Sequence, residues 1–241
     1  MIRIRQVALC TDDIWREEQA VVSTLGLAGV HRDPPNVFQM RNVVFAAGDT
    51  FLEVLQPTAD SAPSARFLAK RGGPGGYMLI LQVDDLVAAR RRVDDLGIRV
   101  VYDEAPARHH GVEAEAIHLH PADTGGAIMS LDRMDPPDGW AWAGRAWQGH
   151  VHTDVVDRIV GVELRTADPE ALATRFAALV DRPCSIGESD ERIIGLDDGT
   201  VRIVAGPVGE RDQLVAVEMQ AADRSAVGSV HVVAGTEIRL V

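Results

Sequence analysis

The chain has one lysine, Lys70, two cysteines and few aromatic residues, 5% of its 241 positions. A single lysine leaves Schiff-base chemistry one candidate. Cys10 and Cys184 are too few and too far apart for a disulfide framework or a zinc knuckle. Each stands among apolar neighbours, where a buried free thiol is expected. No apolar run reaches the roughly 18 residues of a membrane span, and Met1 to Thr11 alternates like a strand rather than reading as a signal peptide. A cytoplasmic protein without a membrane partner is the expectation. Positive charge is also scarce: 24 Lys and Arg stand against 36 Asp and Glu, a formal net charge of −12. That balance repels phosphate backbones, so no nucleic-acid partner is expected. The patterns G-x-G-x-x-G, G-x-S-x-G and H-E-x-x-H do not occur, which leaves nicotinamide, serine-hydrolase and zincin chemistry unsupported.

What the chain does have is a repeated phrase. Ile2 to Thr11 alternates as a strand, and Asp12 to Leu25 carries apolar residues at helical spacing up to Gly26. The phrase returns at Met78 to Asp85 with a helix over Leu86 to Leu96, and at Val162 to Asp168 with Pro169 opening a helix to Val180. An eroded fourth copy runs from Val215 to Asp223. The acids at these strand-to-helix junctions, Asp13, Asp85, Asp168 and Asp223, are 72, 83 and 55 residues apart. Such intervals suit small α+β modules rather than solenoid repeats. Short β-rich runs follow the helices, at Val43 to Ala47, Phe51 to Gln56, Ile98 to Tyr102, Ala116 to His120 and Ala127 to Leu131. Each module thus reads β-α-β-β-β, with the fourth short by most of a helix.

Asp135 to Trp147 is rich in Pro, Gly and Trp and has no period, so it reads as a linker whose tryptophans pack onto the flanking domains. The expected division is a domain over 1–133, a linker over 134–157 and a truncated domain over 158–241. Arg90 to Arg92 reads as a solvated helix face. Gly72 to Gly76 has no following helix to present amides to a phosphate, and reads as a hinge between modules.

Paired β-α-β-β-β modules with an acid at each junction resemble the vicinal oxygen chelate superfamily, which includes glyoxalase I, extradiol dioxygenases, bleomycin-resistance proteins and methylmalonyl-CoA epimerase. The blocks Asp60 to Gly76, Gln82 to Asp85, Asp103 to Pro106 and His118 to Gly126 are most similar to the epimerase branch, over about residues 2 to 133. The resemblance implies an α+β fold of two glyoxalase-like domains, the second degenerate, and a cup of eight strands in the first. It also implies one divalent metal held by the first and last strand of each module. Those four positions fall on Gln6, Glu53, Met78 and Ser130. A divalent site normally draws three ligands from imidazole, carboxylate or thiolate, so no metal and no cofactor are expected here. Of the branch's two proton-transferring bases, one position is now Ser130 and the other falls near Phe45.

Several polar groups remain. Glu53 lies between apolar residues on a strand whose alternation turns it inward, as a metal-free general base or as a structural carboxylate bonded to Gln6 and Ser130. His118 and His120 are two apart on one strand, the geometry of a metal pair, although His120-Pro121 also matches the branch's turn. His109, His110, His150 and His152 read as loop residues. The favoured expectation is metal-independent proton transfer on a small carbonyl or acyl-thioester-like molecule. Glu53 and Tyr77 are its catalytic candidates, and Gln6, Ser130, Met78, Phe45, His118 and His120 are its substrate-binding candidates. A non-catalytic binding or resistance protein, which a homodimer sharing two sites would favour, is the opposing expectation. A metal enzyme using Glu53 with His118 or His120 is the third.

Overall fold

The structure, a computed structural model, describes residues 1–34 and 37–241. Asp13, Asp85 and Asp168 each accept a bond from the backbone N–H three residues on, and each opens a helix. Asp223 accepts from the Ser225 N–H and opens only a 3-10 turn, Arg224–Ala226, before Gly228 (φ +85°). Too few residues follow this cap for a helix to form.

The first module comprises β1 (Ile2–Cys10), α1 (Ile14–Leu25), β2 (Gly29–His31), β3 (Met40–Ala47) and β4 (Thr50–Pro57). A helix that the periodicity did not indicate, α2 (Pro63–Arg71), leads through Gly72 and Gly73 into the second module. That module comprises β5 (Gly75–Val83), α3 (Leu86–Asp95), β6 (Val100–His109), β7 (Val112–Leu119) and β8 (Ile128–Asp135). The third has β9 (Val156–Thr166), α4 (Pro169–Val180), β10 (Cys184–Ile186), β11 (Arg192–Gly195) and β12 (Thr200–Ala205). The fourth keeps β13 (Gln213–Ala221), β14 (Val230–Val233) and β15 (Thr236–Leu240).

In the complete modules the last strand returns parallel to the first: β4 beside β1, β8 beside β5, β12 beside β9. β1 and β5 then pair antiparallel, which joins two modules into the first cup, ordered β2-β3-β4-β1-β5-β8-β7-β6. β9 and β13 join the other two in the same way. The halves meet where Leu214 pairs with Gly76. A Cβ on Gly76 would stand 2.5 Å from the Leu214 side chain, so only glycine fits.

Strand alternation gives each sheet two faces. One face carries Val7, Leu9, Leu52, Leu79 and Leu81 from the first cup and Val162, Leu164, Val217 and Leu240 from the second half, under α1, α3 and α4 in one core. Residues 1–133 and 158–241 both contribute to it. The other face of the first cup carries Ala8, Val44, Phe51, Met78 and Ile80, and packs against Trp140, Ala141, Ala143 and Trp147. The tryptophan-rich segment therefore lies over the inner face of the first cup.

Two expectations are corrected. Cys184 is exposed, because β10 is a three-residue edge strand whose side chains are all exposed. His109 ends β6 rather than lying in a loop, since β6 and β7 pair as far as His109 and Val112.

Candidate functional site

Counting back seven residues from the capping Asp13 and Asp85 reaches Gln6 and Met78. Two residues further on, Ala8 pairs with Glu53 and Ile80 with Ser130. The strand register thus makes Glu53 and Ser130 equivalent positions of the two modules. All four side chains belong to the inner face.

Glu53 is buried, and both its oxygens accept amide N–H groups: Gln6 Nε2 at 2.7 Å and Asn42 Nδ2 at 2.8 Å. Asn42 is held in turn by Asp33, accepting from its backbone N–H at 2.8 Å and donating to its carboxylate at 2.6 Å. The indole N–H of Trp140 donates to Gln6 Oε1 at 2.7 Å, which turns the Gln6 amide nitrogen toward Glu53. Burial, aided by the nearby charge of Asp33, raises the Glu53 carboxyl to about 7 against the opposing pull of the two amide donors. No cation pairs with it among the described residues.

Ser130 does not reach Glu53. Its hydroxyl donates to Asp132, whose other oxygen accepts the Trp142 indole N–H at 2.6 Å. Asp132 is buried too, and desolvation raises it to about 7. Asp132 was not among the residues singled out from the sequence. Its parity with Ser130, two positions along one strand, is the signal that finds it. The same reasoning finds Asn42, two residues from the inward Val44.

The remaining candidates separate. Tyr77 is buried and meets Phe67 edge-on at 5.1 Å, and burial pushes its phenol above the ordinary range, so it stays a neutral donor. Met78 faces the cup opposite Ala8. Phe45 does not: it pairs with Leu52 and lies in the helix-side core, while Val44 is the residue opposite Glu53. One step of alignment across the β2–β3 connection inverts the face. His118, opposite Ser130, is lowered to about 4 by burial and is therefore neutral at pH 7. His120 is not its partner, because β7 ends at Leu119 and the His120 Nδ1 accepts the Ala122 N–H at the start of a 3-10 turn.

The donor set of the four inherited positions does not fit a divalent cation. It offers one carboxylate with an amide, a thioether and a hydroxyl, and the carboxylate oxygens already receive N–H donors that stand where a cation would. Among the described residues no three His, Cys, Asp or Glu side chains converge as a metal cluster. In the second half, the same register puts Gly161, Arg202, Ala216 and Arg239 at these positions. Arg239 donates to Glu163 at 2.8 Å, and Arg202 stands 3.6–4.0 Å from Glu163, Glu191 and Glu218. Arginines have replaced the carboxylate position, and their charges are met internally.

The model of the Glyoxalase-like domain family matches residues 7–180. The mitochondrial methylmalonyl-CoA epimerase of Bos taurus is 30% identical over 132 residues, 54% of this chain and 74% of its own. The ethylmalonyl-CoA/methylmalonyl-CoA epimerase of Cereibacter sphaeroides is 28% identical over 134 residues, 55% and 98% of the two chains. Among solved structures, a hypothetical protein from Staphylococcus aureus aligns with a TM-score of 0.74 at 11% identity, over 100% of this chain and 99% of the other. A variant 4-hydroxymandelate synthase from Streptomyces coelicolor aligns with a TM-score of 0.68 at 17% identity, over 91% and 71%. At these identities the structural likeness is one of fold.

Proposed function

This chain belongs to the glyoxalase-like family of the vicinal oxygen chelate superfamily, and from that premise we propose that its first cup transfers a proton on a small carbonyl or acyl-thioester compound without a metal. The observation that carries this reading is Glu53, a buried carboxylate brought to about 7 by desolvation and steadied by two amide donors rather than by a cation. A base titrating near neutrality is matched to removing and returning a proton at pH 7. In this reading Glu53 takes the proton from the carbon beside the carbonyl. The charge that develops on the carbonyl oxygen is met by a neutral donor of the same face, the Tyr77 phenol. Gln6 and Asn42 keep the carboxylate aimed, and Trp140 keeps Gln6 from flipping.

The relatives named for methylmalonyl-CoA and ethylmalonyl-CoA supply the first compounds to try. Methylmalonyl-CoA incubated with the chain in deuterium oxide, after exhaustive chelation, should gain deuterium at its acidic carbon. Glu53→Gln should reduce that exchange at least 100-fold while leaving the fold intact. Equal exchange by both proteins would remove Glu53 from the chemistry. Glutamine, methionine and serine at Gln6, Met78 and Ser130, in place of metal ligands and a base, also suit a second reading, a protein that holds a ligand without transforming it. Saturable binding of the same compound with no exchange in the wild type would select it.

A further inference from the structure

The inner face of the first cup, where the reading above puts a ligand, is covered by the chain's own segment between β8 and β9. Trp140 is fully buried there, stacked on Phe51 with 6.0 Å between centroids and 10° between planes, and Trp147 meets Phe51 edge-on at 5.0 Å. The segment is tied down at four polar points. Trp140 donates to Gln6 and Trp142 to Asp132, Gln82 Nε2 donates to the Pro137 carbonyl at 2.6 Å, and Arg5 donates to the Asp138 carbonyl at 3.1 Å. These points bracket the polar groups of the cup. We propose that residues 136–151 form a lid that holds the place of a ligand in the first cup and leaves it as a unit, without unfolding of the strands beneath.

Three features distinguish a lid from a permanent part of the core. Among the described residues the hydrogen bonds between segment and cup all run through a side chain, while the segment's own backbone bonds are internal, such as Gly139 to Pro136 and Ala143 to Trp140. No ladder hydrogen bond is broken when it lifts. The buried stretch is flanked by exposed residues, Pro136 to Asp138 on one side and Gln148 to His150 on the other, so only the part between them has to leave the cup. Closure also shuts two carboxylates, Glu53 and Asp132, away from water, a cost that opening returns. The bonds the lid makes define its replacement. A ligand in its place presents a flat apolar surface to Phe51 and a hydrogen-bond donor to Gln6 Oε1 or Asp132. The inference rests on the first cup being a binding site and not on any reaction at Glu53.

The test uses thiol labelling of the full chain. Ser130→Cys places a thiol beneath the Trp142–Asp132 bond, and Ala114→Cys, in the apolar cluster with Trp140, provides a second site should the first variant misfold. Both are made with Cys10 and Cys184 changed to Ala, and labelled with iodoacetamide over a range of urea below the unfolding transition. The expected result is labelling whose rate varies little with urea, because opening a lid exposes far less surface than unfolding. Trp142→Phe should raise that rate about tenfold with the slope unchanged, the loss of one bond to a carboxylate. Labelling that climbs with urea along the global unfolding slope would overturn the proposal and make the segment a fixed plug. Because no turnover is read, either outcome is independent of the role assigned to Glu53.

Discussion

The Trp140 indole N–H donates to Gln6 Oε1 at 2.7 Å, and this one bond decides which end of the Gln6 amide faces Glu53. With the oxygen engaged, the nitrogen must point at the carboxylate. Trp140→Phe keeps the ring in its stack on Phe51 and removes the donor, leaving a buried amide oxygen unmatched. The expected cost is about 1–3 kcal/mol in urea denaturation. Trp15→Phe, at a site 60% exposed, should change stability by less than about 0.5 kcal/mol.

Glu53 makes stability depend on pH in a direction opposite to that of a salt-bridged acid. Its carboxyl sits at about 7 in the folded chain against an ordinary 4.5, so the folded state binds the proton more tightly than the unfolded state. This stabilising term is fully present below about 4.5 and is lost as pH rises through 7, a fall of about 3 kcal/mol. Asp132, also raised to about 7, contributes in the same sense. Urea denaturation across pH 5 to 8 should show the wild type weakening as pH rises. Glu53→Gln should remove a large share of that slope, and Asp132→Asn much of the remainder. An unchanged slope in both variants would mean that neither carboxyl titrates near neutrality.

The ion pairs of the second half make a different prediction. Glu163 is 5% exposed and depends on Arg239, which donates to both of its oxygens. Arg239→Met removes both hydrogen bonds of a buried carboxylate, leaving it only Arg202 at 4.0 Å, and should cost about 3 kcal/mol, while adding Glu163→Gln should recover most of it. A double-mutant cycle in urea measures the coupling.

Two glycines separate crowding from backbone strain. At Gly76 a methyl group would meet Leu214, in the strand that joins the halves, so Gly76→Ala should destabilise by more than about 2 kcal/mol. Gly72 has a φ of +84° but open space around its Cβ position, and Gly72→Ala should cost only about 1 kcal/mol. Thermal melts of the two variants test the contrast.

The modules were legible because their signals are local. Asp13, Asp85 and Asp168 cap helices in the structure as their place before helical periods required; alternation turned Glu53 inward, and the superfamily resemblance set Gln6 at the matching position of the first strand. Phe45 was misplaced because its position depended on an alignment across an irregular connection, where one residue inverts a strand. Asp132 was overlooked although parity with Ser130 exposes it. That Trp140 would pack was expected of a Trp-rich linker, but the face it covers could not be read from an aperiodic segment, since that face is formed by strands far away in sequence. Cys184 read as buried from its neighbours' hydropathy, but those neighbours form an exposed edge strand.

The central claim is that Glu53 is a buried carboxyl poised near neutrality by desolvation and amide donors. Carbon-13 labelling of the glutamate side-chain carboxyls, followed by NMR from pH 4 to 9, tests it directly. One resonance should titrate with a midpoint near 7 and vanish in Glu53→Gln. If every glutamate titrates near its ordinary value of 4.5, the account of this site is wrong.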